Sequence, residues 1–191
     1  AQANLTSAQA VLGQLRQGAR KEELAYKEQV LENAKNSLSE SYSAFPDVIQ
    51  NVDATTADIV KNKFSSMFTS NNGRYTLSFS SCDQRLQRDI EVKRTDLEIA
   101  LADFQTKSSV ITAISSTQAI DTTFEQGYKA ALLTNSLVGS LSDLLLLSCS
   151  LSNSSLDGYR TALSLAKSSM TALFSDITSK RSALISSKNA F

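Results

Sequence analysis

The sequence predicts an all-α protein: an elongated antiparallel bundle of four to five long helices with left-handed, coiled-coil-like packing. Three observations carry that expectation. Leu156, Leu163, Met170, Ile177, Leu184 and Phe191 recur every seventh residue, the mark of a helix that buries one seam against its neighbours. A single proline in 191 residues leaves the periodic segments almost uninterrupted. The hydrophobic fraction of 41% and charged fraction of 20% belong to a folded chain. A chain of this length suits one domain, residues 1–191, burying roughly 70% of its unfolded surface.

In the last segment Tyr159, Ala166 and Leu173 complete an a/d pattern. The pattern turns polar at Lys180 and Ser187, as expected where a helix end leaves a bundle. At the other end of the chain, Thr6 followed by Gln9 reads as a capping box opening a helix to about Ala44, stopped by Pro46. Within it Leu24, Leu31, Leu38 and Phe45 keep heptad spacing, while Leu5, Leu12 and Leu15 lie on another phase. Gly13 and Gly18 mark the place for a bend, since each interior glycine costs about 1 kcal/mol relative to alanine.

Residues 47–70 predict a shorter helix restarted at Thr55, with Val52, Ile59, Phe64, Met67 and Phe68 as its apolar face and Asn71-Asn72-Gly73 as its terminator. Arg74 to Ser80 alternates with period two but finds no strand of like pattern. It is expected to be a short extended connector at about 74–80 that lays Tyr75, Leu77 and Phe79 across the bundle end. Ser80 or Ser81 then caps a third helix carrying Ile90, Leu97, Phe104 and Ile111, supported by Ile114. Thr122-x-x-Glu125 opens a fourth with Phe124, Ala131, Val138 and Leu145.

Composition excludes several function classes. Nineteen basic and nineteen acidic residues are interspersed without blocks of one sign, whereas a nucleic-acid binder clusters its cations against phosphates. Histidine is absent, which removes the usual general base near neutral pH and the commonest transition-metal ligand. Neither an enzyme nor a metal or cofactor protein is expected. Ser164 and Lys167 match a Ser-x-x-Lys pattern, but the companion motifs of those acyl-transfer enzymes are missing. Glu22, Glu23, Glu28 and Glu32 are interleaved with Lys21, Lys27 and Lys35, an arrangement suited to i,i+4 pairs on a solvated face. No apolar run approaches the roughly 20 residues that span a bilayer.

Three features point to a secreted, extracellular glycoprotein. If the third and fourth helices form an antiparallel hairpin, Cys82 near the start of one meets Cys149 at the end of the other, and a disulfide is expected. Closing that loop of about 68 residues is worth roughly 4.4 kcal/mol on the chain-entropy model. The sequons Asn4-Leu5-Thr6 and Asn153-Ser154-Ser155 fall at expected helix starts, so Asn4 and Asn153 are candidate glycosylation sites. The opening Ala1-Gln2-Ala3, without an initiator Met, reads as the product of signal-peptide removal.

Function is then expected through binding. Leu144 to Leu147 point around a whole helical turn and must be covered, either by a helix buried all round or by a ligand or subunit. Leu132, Leu141, Leu144, Leu145 and Leu146 are the candidate apolar binding or interface residues. The partners expected are a protein chain, a second copy or a hydrophobic ligand, with peripheral lipid contact as a further option. In layout, through these amphipathic heptad segments, the chain resembles the insect apolipophorin III type, which implies helices that open onto lipid surfaces. A cross-link and strict heptads favour a closed seam instead. A self-assembling structural coiled coil would accommodate the serine content of about one residue in six.

Overall fold

The computed structural model describes residues 2–16, 18, 21–147 and 152–190. Helix α1 (Gln2–Arg16) precedes α2 (Lys21–Ser43) and α3 (Phe45–Ala57), and α3 continues through a π-helical segment (Asp58–Lys63) and a short 3₁₀ turn (Ser65–Met67). Strands β1 (Phe68–Asn71) and β2 (Arg74–Leu77) follow, then α4 (Gln84–Ser108), α5 (Thr117–Leu146) and α6 (Asn153–Ala190). The class is all-α. The longest helix, α6, has 38 residues and runs about 57 Å at 1.5 Å per residue.

Cross-helix contacts set the directions. Ser41 meets Ser187, Asn51 meets Asp176 and the Tyr159 hydroxyl donates to the Ser66 carbonyl, so α2 and α3 run antiparallel to α6. Lys93 bonds Ser140 and the Cys82 N–H donates to the Leu147 carbonyl at 3.0 Å, which makes α4 and α5 an antiparallel hairpin. The Ser108 hydroxyl donates to Asp53, and Lys61 to Gln105, placing α3 antiparallel to α4. Arg181 lies near Glu125, and Lys188 bonds Asp121, so α5 and α6 are antiparallel as well.

The heptad positions read from the sequence form the core. Ile90, Leu97, Phe104 and Ile111 are buried, as are Phe124, Ala131, Val138 and Leu145, and Leu163, Met170, Ile177 and Leu184. Phe45 and Phe124 pack edge to face with ring centroids 4.9 Å apart, a preferred aromatic arrangement. Phe191 lies outside the described residues. Burying each large apolar side chain of this kind contributes about 1.5–3 kcal/mol.

Several local expectations are corrected. The segment 74–80 is not a lone connector: β2 pairs antiparallel with β1, Phe68 opposite Leu77 and Asn71 opposite Arg74. Asn72 and Gly73 hold φ of 51° and 78°, the left-handed pair that a tight two-residue hairpin turn requires. Asn71-Asn72-Gly73 therefore makes a hairpin rather than ending a helix. The partner strand, Phe68-Thr69-Ser70-Asn71, is too polar to show the alternation that marks a strand in sequence.

Helix starts also moved. Thr6 sits inside α1, and α2 is a separate helix from α1, with Gly18 at φ 68° between them. Pro46 opens α3 at its first turn, where its missing N–H has no intrahelical partner to lose. Thr55 bonds Asn51 within α3 and restarts nothing. Asp83, not Ser80 or Ser81, caps α4, accepting from the N–H groups of Arg85 and Leu86, and α4 ends at Ser108, so Ile114 is fully outside the core. Ser116 caps α5, while the Thr122 hydroxyl bonds back to the Gln118 carbonyl in mid-helix. The π-helical segment accounts for the five-residue step from Ile59 to Phe64, both fully buried, because one extra residue per turn returns the chain to the core face.

Close packing is sharpest at Gly127, where an added Cβ would stand 2.7 and 2.8 Å from the buried Phe104 ring. Gly127→Ala should cost about 1–3 kcal/mol and lower the melting temperature by several degrees. Gly158→Ala, at a helix position facing open space, should instead stabilise by up to about 1 kcal/mol. Thermal unfolding of the two single variants checks both signs.

Candidate functional site

The sequence places apolar residues at 24, 31, 38, 45, 52 and 59, one unbroken heptad series through α2, α3 and the start of the π-helical segment. Its exposure changes along its length. Ile59, Val52 and Phe45 are at most 1% exposed, Leu38 is half-buried, and Leu31 and Leu24 are 43% and 51% exposed. The antiparallel register explains this: Ser41 already lies beside Ser187, near the end of α6. The α2 residues 21–33 therefore extend past their partner helix, and each of them is exposed.

Val30 and Tyr26 are exposed on α2 as well, and on α1 so are Leu5, Val11 and Leu12. Glu23 and Lys27, expected to pair, make no ion pair among the described residues. This stretch carries seven exposed large apolar side chains within the first 31 residues. Exposed apolar surface of the kind that Leu24, Tyr26, Val30 and Leu31 leave on α2 is a feature of interaction surfaces.

Where α2 does meet α6, polar groups close the bundle end. Ser187, expected to emerge into solvent, is buried, and its hydroxyl bonds Ser41 at 2.8 Å and Ser37 at 3.3 Å. The Tyr42 hydroxyl and the Lys188 ammonium both bond the same oxygen of Asp121, at 3.0 and 3.3 Å. Tyr42 first, and Asp121 after it, hold Lys188 above its ordinary pKa. Here α2, α5 and α6 are joined by side chains rather than by apolar contact alone.

The five leucines singled out from sequence do not share a surface. Leu141 and Leu144 are fully buried and Leu145 nearly so, whereas Leu132 and Leu146 are 45% and 76% exposed and stand two heptads, about 21 Å, apart. Leu144 to Leu147 is thus not buried all round: two leucines enter the core and two face out. Beside them α5 and α6 enclose a surface groove of about 280 Å³, lined by Ser142, Leu145, Leu146, Arg160, Leu163, Ser164 and Lys167. Ser164 and Lys167 are both exposed, on a helix face.

One buried cation was not anticipated. Arg94 is 3% exposed on the core stripe of α4, with its guanidinium 3.8 Å from the Tyr75 ring centroid and its NH1 donating to Glu98 at 2.7 Å. Planar stacking on an aromatic face is what an arginine does better than a lysine. The arrangement fixes the hairpin on α4, aided by the Leu77 N–H donating to Glu91. The alternation of Tyr75 and Leu77 could have signalled the packing, but not the charge beneath it.

Asn4 is exposed within α1, and Asn153 is exposed as the first residue of α6. Cys82 is exposed just before α4; Cys149 lies outside the described residues. No group of histidine, cysteine or acidic side chains among the described residues could hold a metal ion. No described helix is long and apolar enough to cross a membrane. No protein-family model, no curated protein and no solved structure matches this chain.

The Lys188 cluster gives a pH signature. A lysine whose pKa is raised on folding stabilises fully below its unfolded value, ordinarily 10.5, and loses that contribution as pH rises through the folded value. Because the groups are about half exposed, the effect is a few tenths of a kcal/mol. Lys188→Met should melt about 1 °C below the wild type near neutral pH, with the difference vanishing in strongly alkaline buffer in a calorimetric scan.

Proposed function

We propose that the protein acts by binding, without catalysis, and that the exposed α2 edge docks an amphipathic helix of a second copy of this chain. The carrying observation is the exposure gradient along one heptad series: the stripe that α6 covers at Phe45 continues uncovered at Leu31 and Leu24. Both side chains are already about half covered, so burying the rest offers about 1 kcal/mol each. A second α2, laid antiparallel about the point between Lys27 and Glu28, sets Leu24 of one copy against Leu31 of the other. It also sets Lys27 against Glu28 twice, as a two-fold axis demands. The bundle already uses that antiparallel helix geometry where α2 and α3 pack on α6.

Secretion belongs to the same reading. Cys82 is not a free thiol, and its N–H bonds Leu147, two residues before Cys149. That closeness of Cys82 to the end of α5 supports a Cys82–Cys149 cross-link as part of this reading, and the exposure of Asn4 and Asn153 is compatible with glycan attachment at both sequons. Such a bond suits an oxidising compartment.

Sedimentation across a wide concentration range tests the docking. The wild-type chain should exceed one-chain mass, and Leu24→Glu with Leu31→Glu should return it to one chain; at dilutions where the wild type is itself one chain the two should melt alike, since both side chains are exposed there. A wild type that stays at one-chain mass throughout overturns the reading, as does a doubly substituted chain that still associates.

Mass spectrometry of unreduced protein from a secreting eukaryotic host tests the compartment. Cys82 and Cys149 should appear in one linked peptide with no alkylatable thiol, and at least one of Asn4 and Asn153 should carry a glycan. Free thiols together with bare asparagines would refute secretion.

A further inference from the structure

We propose that the α5–α6 groove is a binding site for a free, medium-length alkyl carboxylate, independent of the α2 edge. Its floor is Leu145 and Leu163, each 4% exposed, and Leu146, 76% exposed, forms one wall. Arg160 and Lys167 stand seven residues apart on α6, so both project along the same side of the groove. Ser142 and Ser164 supply hydroxyls, and no acidic side chain lines the groove.

The other described grooves differ in chemistry. The α3–α6 groove sets Asp58, with no cation, beside small and polar residues and the single large apolar side chain of Leu173. The groove between β2 and α4 offsets Arg74 and Arg88 with Glu91 and Asp96. Only the α5–α6 groove, among these, joins an apolar floor to cations alone. That pairing selects a ligand with an apolar body and an anionic end.

Within the groove the two cations are not equivalent. Arg160 has Asp157 at 3.7 Å, one turn back on α6, whereas Lys167 makes no ion pair among the described residues. Lys167 is therefore the primary carboxylate contact, with Arg160 secondary. The volume of about 280 Å³ lies at the small end of ligand sites, near 300 Å³, and suits one short alkyl chain rather than a two-chain lipid.

Isothermal titration of the full chain with decanoate tests this, with decanol as the uncharged control. Decanoate should bind saturably at one site per chain and more tightly than decanol. Lys167→Met with Arg160→Met should weaken decanoate about fivefold, the scale of one or two exposed ion pairs, and leave decanol unchanged. Leu146→Asp should abolish both, while Leu24→Glu with Leu31→Glu should alter neither, which separates this site from the α2 edge. Lys167, Arg160 and Leu146 are all exposed, so unchanged melting curves confirm that the variants fold. Equal decanoate affinity in the wild type and the Lys167/Arg160 variant overturns the proposal. So does binding to phosphatidylglycerol vesicles without any binding of decanoate monomer.

Discussion

The structure depends on one constraint: every apolar stripe must face another stripe along most of its length. Heptad spacing meets that constraint because side chains seven apart return to nearly the same face of a helix. In α4, α5 and α6 most of the spaced positions are inside, with Leu156 at the edge of the core. Antiparallel order follows from short links, since a chain leaving the end of one helix can start the next only beside it. Register is then held by cross-helix bonds from Ser41–Ser187 at one end to Tyr159–Ser66 toward the other.

Stripes alone leave the ends of the bundle unsettled, and polar chemistry settles them. Asp83 and Ser116 satisfy the first free N–H groups of α4 and α5, each cap being worth about 1 kcal/mol. The Tyr42, Asp121 and Lys188 group ties three helices at one end. Toward the other end, Arg94 between Tyr75 and Glu98 seats the hairpin on α4. Burying that charge is tolerable because stacking and an ion pair replace part of its hydration.

The same packing determines where binding surfaces remain. The largest core side chains are under 2% exposed, and both features proposed for binding lie on the outside of the bundle. Two outer features have distinct chemistry: a heptad edge that runs past its partner, and an apolar groove fringed by cations. One suits a helix, the other a small amphipathic anion. They lie on different helices, so occupancy of one does not require the other.

Local periodicity by itself determined the helical class, the heptad core positions and the antiparallel meeting of Cys82 with the end of α5, because a repeat of seven can be satisfied only by helices side by side. Composition likewise removed histidine chemistry. The tertiary structure alone decided which parts of those stripes are covered. Leu24 and Phe45 have the same place in the repeat, yet one is half exposed and the other buried, because coverage depends on which described elements pack beside each position. Leu144 and Leu146, two residues and about 200° apart around α5, face opposite ways, one in the core and one outside it. The β1–β2 hairpin and buried Arg94 were also beyond a one-dimensional reading, since a polar strand or a core cation is identified by what lies across from it in space.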